Sequence, residues 1–156
     1  MEKGGEGMTI RSVSNDKDKY LPILLLGDEQ ESLIRGYLDR GELFVLEEDG
    51  EDRAVCVVTR EGPGLYEIQN IAVAPHYQRR GLGREMIGFL WGWYPDLQTL
   101  QLGTGDSPST LGFYRALGFQ ETGREAGYFL THYDHPIYED GKRLVDRVLL
   151  EKRREL

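Results

Sequence analysis

The stretch Asn70-Ile71-Ala72-Val73-Ala74-Pro75-His76-Tyr77-Gln78-Arg79-Arg80-Gly81-Leu82-Gly83-Arg84 constrains this chain more than any other. It reads as an apolar strand, a proline stop, a basic glycine loop and the opening of a helix. Main-chain N–H groups at a helix start can hold phosphate oxygens, and flanking arginines add charge. Arg79, Arg80 and Arg84 stand out because the chain as a whole is acidic, with a formal net charge of -8. That balance argues against non-specific nucleic-acid binding, which needs a broad positive surface.

Two phosphate-binding patterns are excluded by the residues themselves. A Walker loop ends in a lysine followed by serine or threonine, and Gly81-Leu82-Gly83 has neither after it. A dinucleotide fingerprint needs three glycines in G-x-G-x-x-G spacing soon after the strand, and only Gly81 and Gly83 are present. The same short pattern also suits a helix start that holds no ligand.

With 156 residues the chain is the size of one domain with a sizeable core. The expected boundaries are a disordered leader over residues 1–7, one domain over 8–151 and a solvated tail over 152–156. Strands are expected at Met8 to Val13, Leu43 to Leu46, Ala54 to Thr59, Leu65 to Ala74, Leu97 to Leu102, from Phe119 onward, and at Leu144 to Leu150. Helices are expected at Asp16 to Leu26, Glu29 to Arg40, Gly81 to Tyr94 and Ser107 to Leu117, with Gly41 a C-cap candidate. Glu47 to Arg53 reads as an acidic turn between two strands of a hairpin. The strand, helix and next strand around residues 65–102 imply a right-handed crossover between parallel neighbours. The result is an α/β domain with a mixed sheet.

The strand from Leu65 to Ala74 alternates imperfectly, because Glu67 and Gln69 share the parity of Ile71 and Val73. Either a bulge switches its faces, or Glu67 points into a polar cavity. Cys56 is the only cysteine and sits in Ala54-Val55-Cys56-Val57-Val58, so it reads as a buried structural thiol. Three histidines and one cysteine, irregularly spaced, do not favour a metal site. No apolar run has the length of a membrane span and no signal-peptide pattern is visible, so a cytoplasmic location is the default expectation.

A second motif lies about one strand beyond the glycine loop: Ser107-Pro108-Ser109-Thr110-Leu111-Gly112-Phe113-Tyr114-Arg115-Ala116-Leu117-Gly118-Phe119. Together the two resemble the acetyl-coenzyme A-binding core of the GNAT family (GCN5-related N-acetyltransferases). Gln78, Gly81 and Gly83 match the family's Q/R-x-x-G-x-G/A loop, and Phe113, Tyr114, Gly118 and Phe119 match its F-Y-x-x-x-G-F ending. The resemblance implies a GNAT-like acyl-CoA N-acyltransferase fold, with a mixed, mostly antiparallel, splayed sheet flanked by helices. It implies acetyl-CoA as co-substrate, with the main chain of Ile71, Ala72 and Val73 on the pantetheine arm. Residues Gln78, Arg79, Arg80, Gly81, Leu82, Gly83 and Arg84 would hold the pyrophosphate.

Tyr114 matches the position from which a tyrosine often protonates the departing thiolate, with Phe113 packing beneath it. General acid help of this kind is worth about 10²–10⁴-fold in rate. Its alternative is a core tyrosine. Glu67 is the leading candidate for the base, and its alternative is a surface or substrate-orienting carboxylate. The segment Gly127 to Gly141 looks like the ending of a bacterial subgroup of these enzymes. Tyr133, Asp134 and His135 are its candidate acceptor contacts, and Asp134, Glu139 or Asp140 could attract an ammonium group.

The implied reaction is acetyl transfer to a primary amine of a small molecule, an amino acid or a protein, by direct transfer in a ternary complex and without a metal. Transfer of another acyl group, or a catalytically silent acyl-CoA-binding sensor, are the alternatives. A homodimer is expected from the resemblance.

Overall fold

Every side chain from Arg53 to Thr59 is buried, as in a strand covered on both faces. In the computed structural model, which describes residues 7–155, this run is the middle of a four-stranded antiparallel arrangement. Its strands are β1 (Met8–Val13), β2 (Glu42–Glu48), β3 (Glu51–Gly62) and β4 (Leu65–Val73), paired in that order. Helices α1 (Leu21–Gly27), α2 (Glu31–Leu38) and α3 (Leu82–Trp93) accompany them. Together these elements form a first compact unit, which ends at Leu97.

Alternate residues of β3 serve the two faces. Val55 and Val57 join Leu43, Val45 and Ala72 in a core with Leu24 of α1 and Ile34, Tyr37 and Leu38 of α2. On the opposite face Phe44, paired with Cys56, meets the rings of Phe89 and Trp93 of α3 at 5.7 and 5.5 Å. Ile34, Tyr37 and Leu38 thus form the inward face of α2. Trp93 is a packing residue whose indole also donates to Glu42 at 3.3 Å.

The imperfect alternation of β4 has a structural cause. Val57 pairs with Asn70, but the next residue, Val58, pairs with Ile68. Gln69 is the extra residue of a bulge. Ile68 and Tyr66 thus share the face of Val58, while Glu67, opposite Thr59, shares the face of Asn70 and Ala72. The bulge, one of the two explanations open in the sequence, is present.

Several expected boundaries move. The acidic turn between β2 and β3 shrinks to Asp49 and Gly50, with φ of 54° and 79°. A two-residue turn with both φ positive matches strand twist, so the hairpin needs no longer loop. Gly41 does not adopt a left-handed cap. Its N–H bonds to Tyr37 O at 2.9 Å, and a Cβ there would lie 2.6 Å from Val57 Cγ1. Close approach of α2 to β3 is what demands glycine.

The second unit begins at Gln98. It contains β5 (Thr99–Gly105), α4 (Pro108–Ala116), β6 (Gln120–Glu125), the one-turn helix α5 (Tyr128–Thr131), β7 (Tyr138–Glu139), β8 (Lys142–Arg143) and β9 (Arg147–Arg153). Strand β9 lies antiparallel between β5 and β6. It starts three residues later than the expected Leu144, because Leu144 is buried with Phe129 and Ile137 in a separate small core. It also continues through Lys152 and Arg153, which were expected in the tail. Lys152 Nζ donates to Leu117 O at 2.8 Å, at the end of α4. Residues 1–6 of the expected leader, and Leu156, lie outside the described residues.

Replacing Gly41 with alanine is expected to cost about 1–3 kcal/mol, the usual range for overpacking a tight contact. Urea unfolding of the Gly41→Ala variant, with an unchanged m-value, measures it.

Candidate active site

The glycine loop is built by two backbone devices. After β4, Pro75–Tyr77 form a single 3-10 turn, and Arg79 then takes a left-handed φ of 63°. Gly81 follows at φ 81° as the N-cap of α3. No side chain caps this helix, and its first backbone bond runs from Glu85 N to Gly81 O at 3.0 Å. The N–H groups of Leu82, Gly83 and Arg84 therefore have no partner inside the helix, and they sit at the positive end of its dipole.

Arg79 and Arg84 are exposed and make no ion pair among the described residues. Arg80 differs from them, since its Nη2 lies 3.3 Å from Glu48 Oε1. Gln78 does not point its amide at the helix start. It donates to Val73 O at 3.0 Å and ties the loop to the end of β4. Ile71, Ala72 and Val73 are the last three residues of β4, immediately before the turn.

Glu67 is half-buried on β4, two positions before the bulged Gln69. Beside it Gln69 Nε2 donates to Thr59 Oγ1 at 3.0 Å, and Thr59 donates to Glu61 at 2.5 Å. The Thr59 bond, with help from Arg40, holds the Glu61 carboxyl below the usual carboxylate range. On the same face Asn70 is buried, and its Nδ2 donates to Leu24 O at 2.9 Å and to Tyr37 Oη at 3.0 Å. Tyr37 in turn donates to Asp28 Oδ2 at 3.0 Å. The sequence reading missed this chain. Its one signal was a polar Asn70 flanked by apolar residues of a strand.

In the second unit α4 is opened by Ser107, whose Oγ accepts from Thr110 N at 3.5 Å. Tyr114 is 6% exposed, with ring centroids of Phe113 and Phe119 at 5.0 and 5.6 Å, both edge-on. Phe113, expected to pack beneath Tyr114, does meet its ring edge-on but stays 38% exposed. The inward stripe of α4 runs from Leu111 to Tyr114, three residues apart, and Phe113 falls off it.

The candidate acceptor segment is more ordered by its own contacts than the sequence suggests. Tyr133 stacks on Phe129 at 5.4 Å, and Asp134 Oδ1 meets His135 Nδ1 at 2.6 Å on the surface. His132 stacks on Tyr128 at 4.1 Å. Glu139 accepts from Ser107 Oγ and, at 2.7 Å, from Thr110 Oγ1, and Asp140 accepts from Ser109 Oγ. Glu139 and Asp140, expected as ammonium attractors, are thus engaged by hydroxyls at the start of α4. Asp140 and Gly141 form the turn of the β7–β8 hairpin, with φ of 53° and 74°. Asp-Gly is a favoured pair for such a two-residue turn. Asp146 accepts from Gly127 N at 2.9 Å, while Arg147 pairs with Glu125 at 2.7 Å.

Cys56 is fully buried, and burial pushes its thiol far above the usual range. Such a group supplies no nucleophile. Among the described residues no set of three or more His, Cys, Asp or Glu side chains could hold a metal ion, and no helix is long and apolar enough to cross a membrane.

With this geometry in hand, comparison with known proteins gives the class. Residues 39–121 match the acetyltransferase (GNAT) domain. The chain belongs to the GNAT family of acetyltransferases, with an α/β fold in which helices flank a mixed, mostly antiparallel sheet. A relative described as an uncharacterized N-acetyltransferase, YvbK of Bacillus subtilis, is 32% identical over 136 residues, covering 85% of this chain and 88% of its own. A GNAT family acetyltransferase from Elizabethkingia anophelis with acetyl-CoA bound is 29% identical, with a TM-score of 0.89 over 96% of this chain and 99% of that one. An IAA acetyltransferase from Bacillus cereus is 31% identical, with a TM-score of 0.85 over 94% of this chain and 99% of that one.

Two outcomes are expected. Cys56 should resist thiol reagents in the folded protein and react only on unfolding, as followed by absorbance in a labelling assay. A Gly81→Ala variant should lose about 1 kcal/mol of stability, because the left-handed φ rather than neighbouring bulk requires glycine there. Thermal unfolding measures that loss.

Proposed function

We propose that the protein transfers an acetyl group from acetyl-CoA directly to a primary amine of a small molecule, an amino acid or a protein. The observation that carries the reading is the uncapped N-terminus of α3 beside the exposed Arg79 and Arg84, in a chain that also holds the Phe113-Tyr114 motif. The chemistry of that donor set fits a pyrophosphate, which wants several N–H groups and cationic charge at one place. A solved relative with acetyl-CoA bound, and a Bacillus subtilis acetyltransferase solved with CoA, support the same ligand class.

In this reading the N–H groups of Leu82, Gly83 and Arg84 and the side chains of Arg79, Arg80 and Arg84 hold the pyrophosphate. The main chain of Ile71 to Val73 receives the pantetheine arm. Bound acetyl-CoA supplies an activated thioester. Glu67 accepts a proton from the acceptor's ammonium group, directly or through water, and so leaves a neutral amine able to attack. As the new C–N bond forms and the C–S bond breaks, Tyr114 gives its Oη proton to the departing sulfur, and the proton lost from the acylated nitrogen restores the phenol, directly or through water. The near-complete burial of Tyr114 keeps that phenol in a fixed orientation. The full burial of Cys56 supports direct transfer over an acyl-cysteine route. Tyr133, Asp134 and His135 contribute to acceptor binding, with the exposed Asp134 offering the negative charge that an ammonium group seeks.

Incubation with acetyl-CoA and a chemically diverse panel of amines, followed by mass analysis, tests the reading. A gain of one acetyl group on an amine is the expected result. Products formed only with other acyl donors would reassign the acyl group, and binding of CoA without any product would reduce the protein to a sensor. Tyr114→Phe is expected to lower kcat by about 10²–10⁴-fold, as removal of a general acid does. Its Kd for CoA in a calorimetric titration should stay within about twofold, since the phenol acts on chemistry more than on ground-state binding.

A further inference from the structure

The tip of the β2–β3 hairpin carries a charged cluster for which acetyl transfer itself has no use. Arg53 is only 8% exposed, which is rare for an arginine. It pairs with Glu48 through Nη1, while its Nη2 lies 3.6 Å from Asp49 and 3.7 Å from Glu51. Its Nε is buried with no hydrogen-bond partner among the described residues, so this placement is held against a desolvation cost. A guanidinium kept there needs a structural or functional reason.

The contacts beyond Arg53 supply one. Glu48 receives Arg80 as well, at 3.3 Å. The guanidinium groups of Arg53 and Arg80 both lie over the ring of Tyr77, at 4.0 and 5.6 Å. The Tyr77 hydroxyl donates to Glu51 at 2.8 Å. Tyr77 and Arg80 are the two ends of the segment that leads into the N-terminus of α3, and each is fastened to the hairpin tip. Between them sits Arg79, a non-glycine residue in the left-handed region. A strained backbone of this kind persists only where its surroundings over-determine it.

We propose that Arg53 is a positioning residue for coenzyme A binding: by holding Glu48 and the ring of Tyr77 it fixes the course of residues 77–80 and the aim of Arg80, and so sets the affinity for the pyrophosphate. The proposal rests on the coenzyme A reading of the loop. Arg53 touches no phosphate in this scheme. It acts through Glu48 and Tyr77, in the way that outer partners orient the groups that do the binding.

Calorimetric titration with CoA tests it on the full chain. Arg53→Gln is expected to raise Kd about tenfold, equivalent to one modest interaction, and Tyr77→Phe about threefold. Glu48→Gln should weaken binding severalfold in the wild-type background and have no further effect when Arg80 is already glutamine. That non-additivity is a readout that general destabilisation does not produce. Should Arg53→Gln fail to fold, the Glu48 and Tyr77 variants carry the test alone. CoA binding within about twofold of wild type by a folded Arg53→Gln protein or by both the Glu48 and Tyr77 variants, tighter binding by Glu48→Gln, or an undiminished Glu48→Gln effect in the Arg80→Gln protein would each overturn the positioning role. Failure of the wild-type protein to bind CoA would overturn the cofactor assignment itself, and this proposal with it.

Discussion

The pairing of β3 with β4, with Gln69 as one surplus residue, is the constraint on which the first unit depends. A strand packed on both faces must divide its side chains between two sets of neighbours, and a regular period of two allows only one assignment. The bulge allows two. Before it, Tyr66 and Ile68 share the face of Val58; after it, Asn70 and Ala72 share the face of Val57 and Val55. The same irregularity puts Glu67 on the side of Asn70 and Ala72, where an unbroken alternation would put it with Ile71 and Val73. A single inserted residue thus decides both how the core is filled and which way the candidate base points.

Beyond the bulge, β4 ends where the candidate anion site begins. The site is mostly backbone: three N–H groups without helical partners and a dipole aimed the same way. Side chains are shared unequally among other duties. Arg79 and Arg84 are left to solvent, Arg80 is shared with Glu48, and Gln78 braces the strand end. The acidic hairpin tip balances the loop's positive charge locally. A chain of net charge -8 can therefore carry a cationic point without an open basic surface.

In the second unit, hydroxyl–carboxylate contacts replace the free acids that the sequence suggested. Ser107, Ser109 and Thr110 engage Glu139 and Asp140, so the β7–β8 hairpin is fastened to the start of α4, the helix that bears Tyr114. These residues lie about thirty positions apart in the chain, and nothing local reveals the pairing. Asp134 and His135 remain on the surface, bonded to each other. The acidic content of this segment is thus divided between structural partners and one exposed pair.

What the sequence determined alone is local or motif-borne. The apolar periods of α2 and α3, the valine-rich centre of β3, the proline stop after β4 and the Gly81 helix start are written in short windows, because backbone sterics and burial act over a few residues there. The two family motifs fixed the class for the same reason: each is a compact backbone device with few tolerated residues. Tertiary structure decided what depends on partners distant in sequence. It placed Tyr114 inside and Phe113 outside, moved the start of the last strand from Leu144 to Arg147, and made Gly41 a close-approach residue instead of a cap. It also paired Arg80 with Glu48 and gave Glu139 to Ser107. Charge and hydrogen-bond partners are chosen by proximity in the folded chain, and proximity across thirty residues is a property that no local pattern encodes.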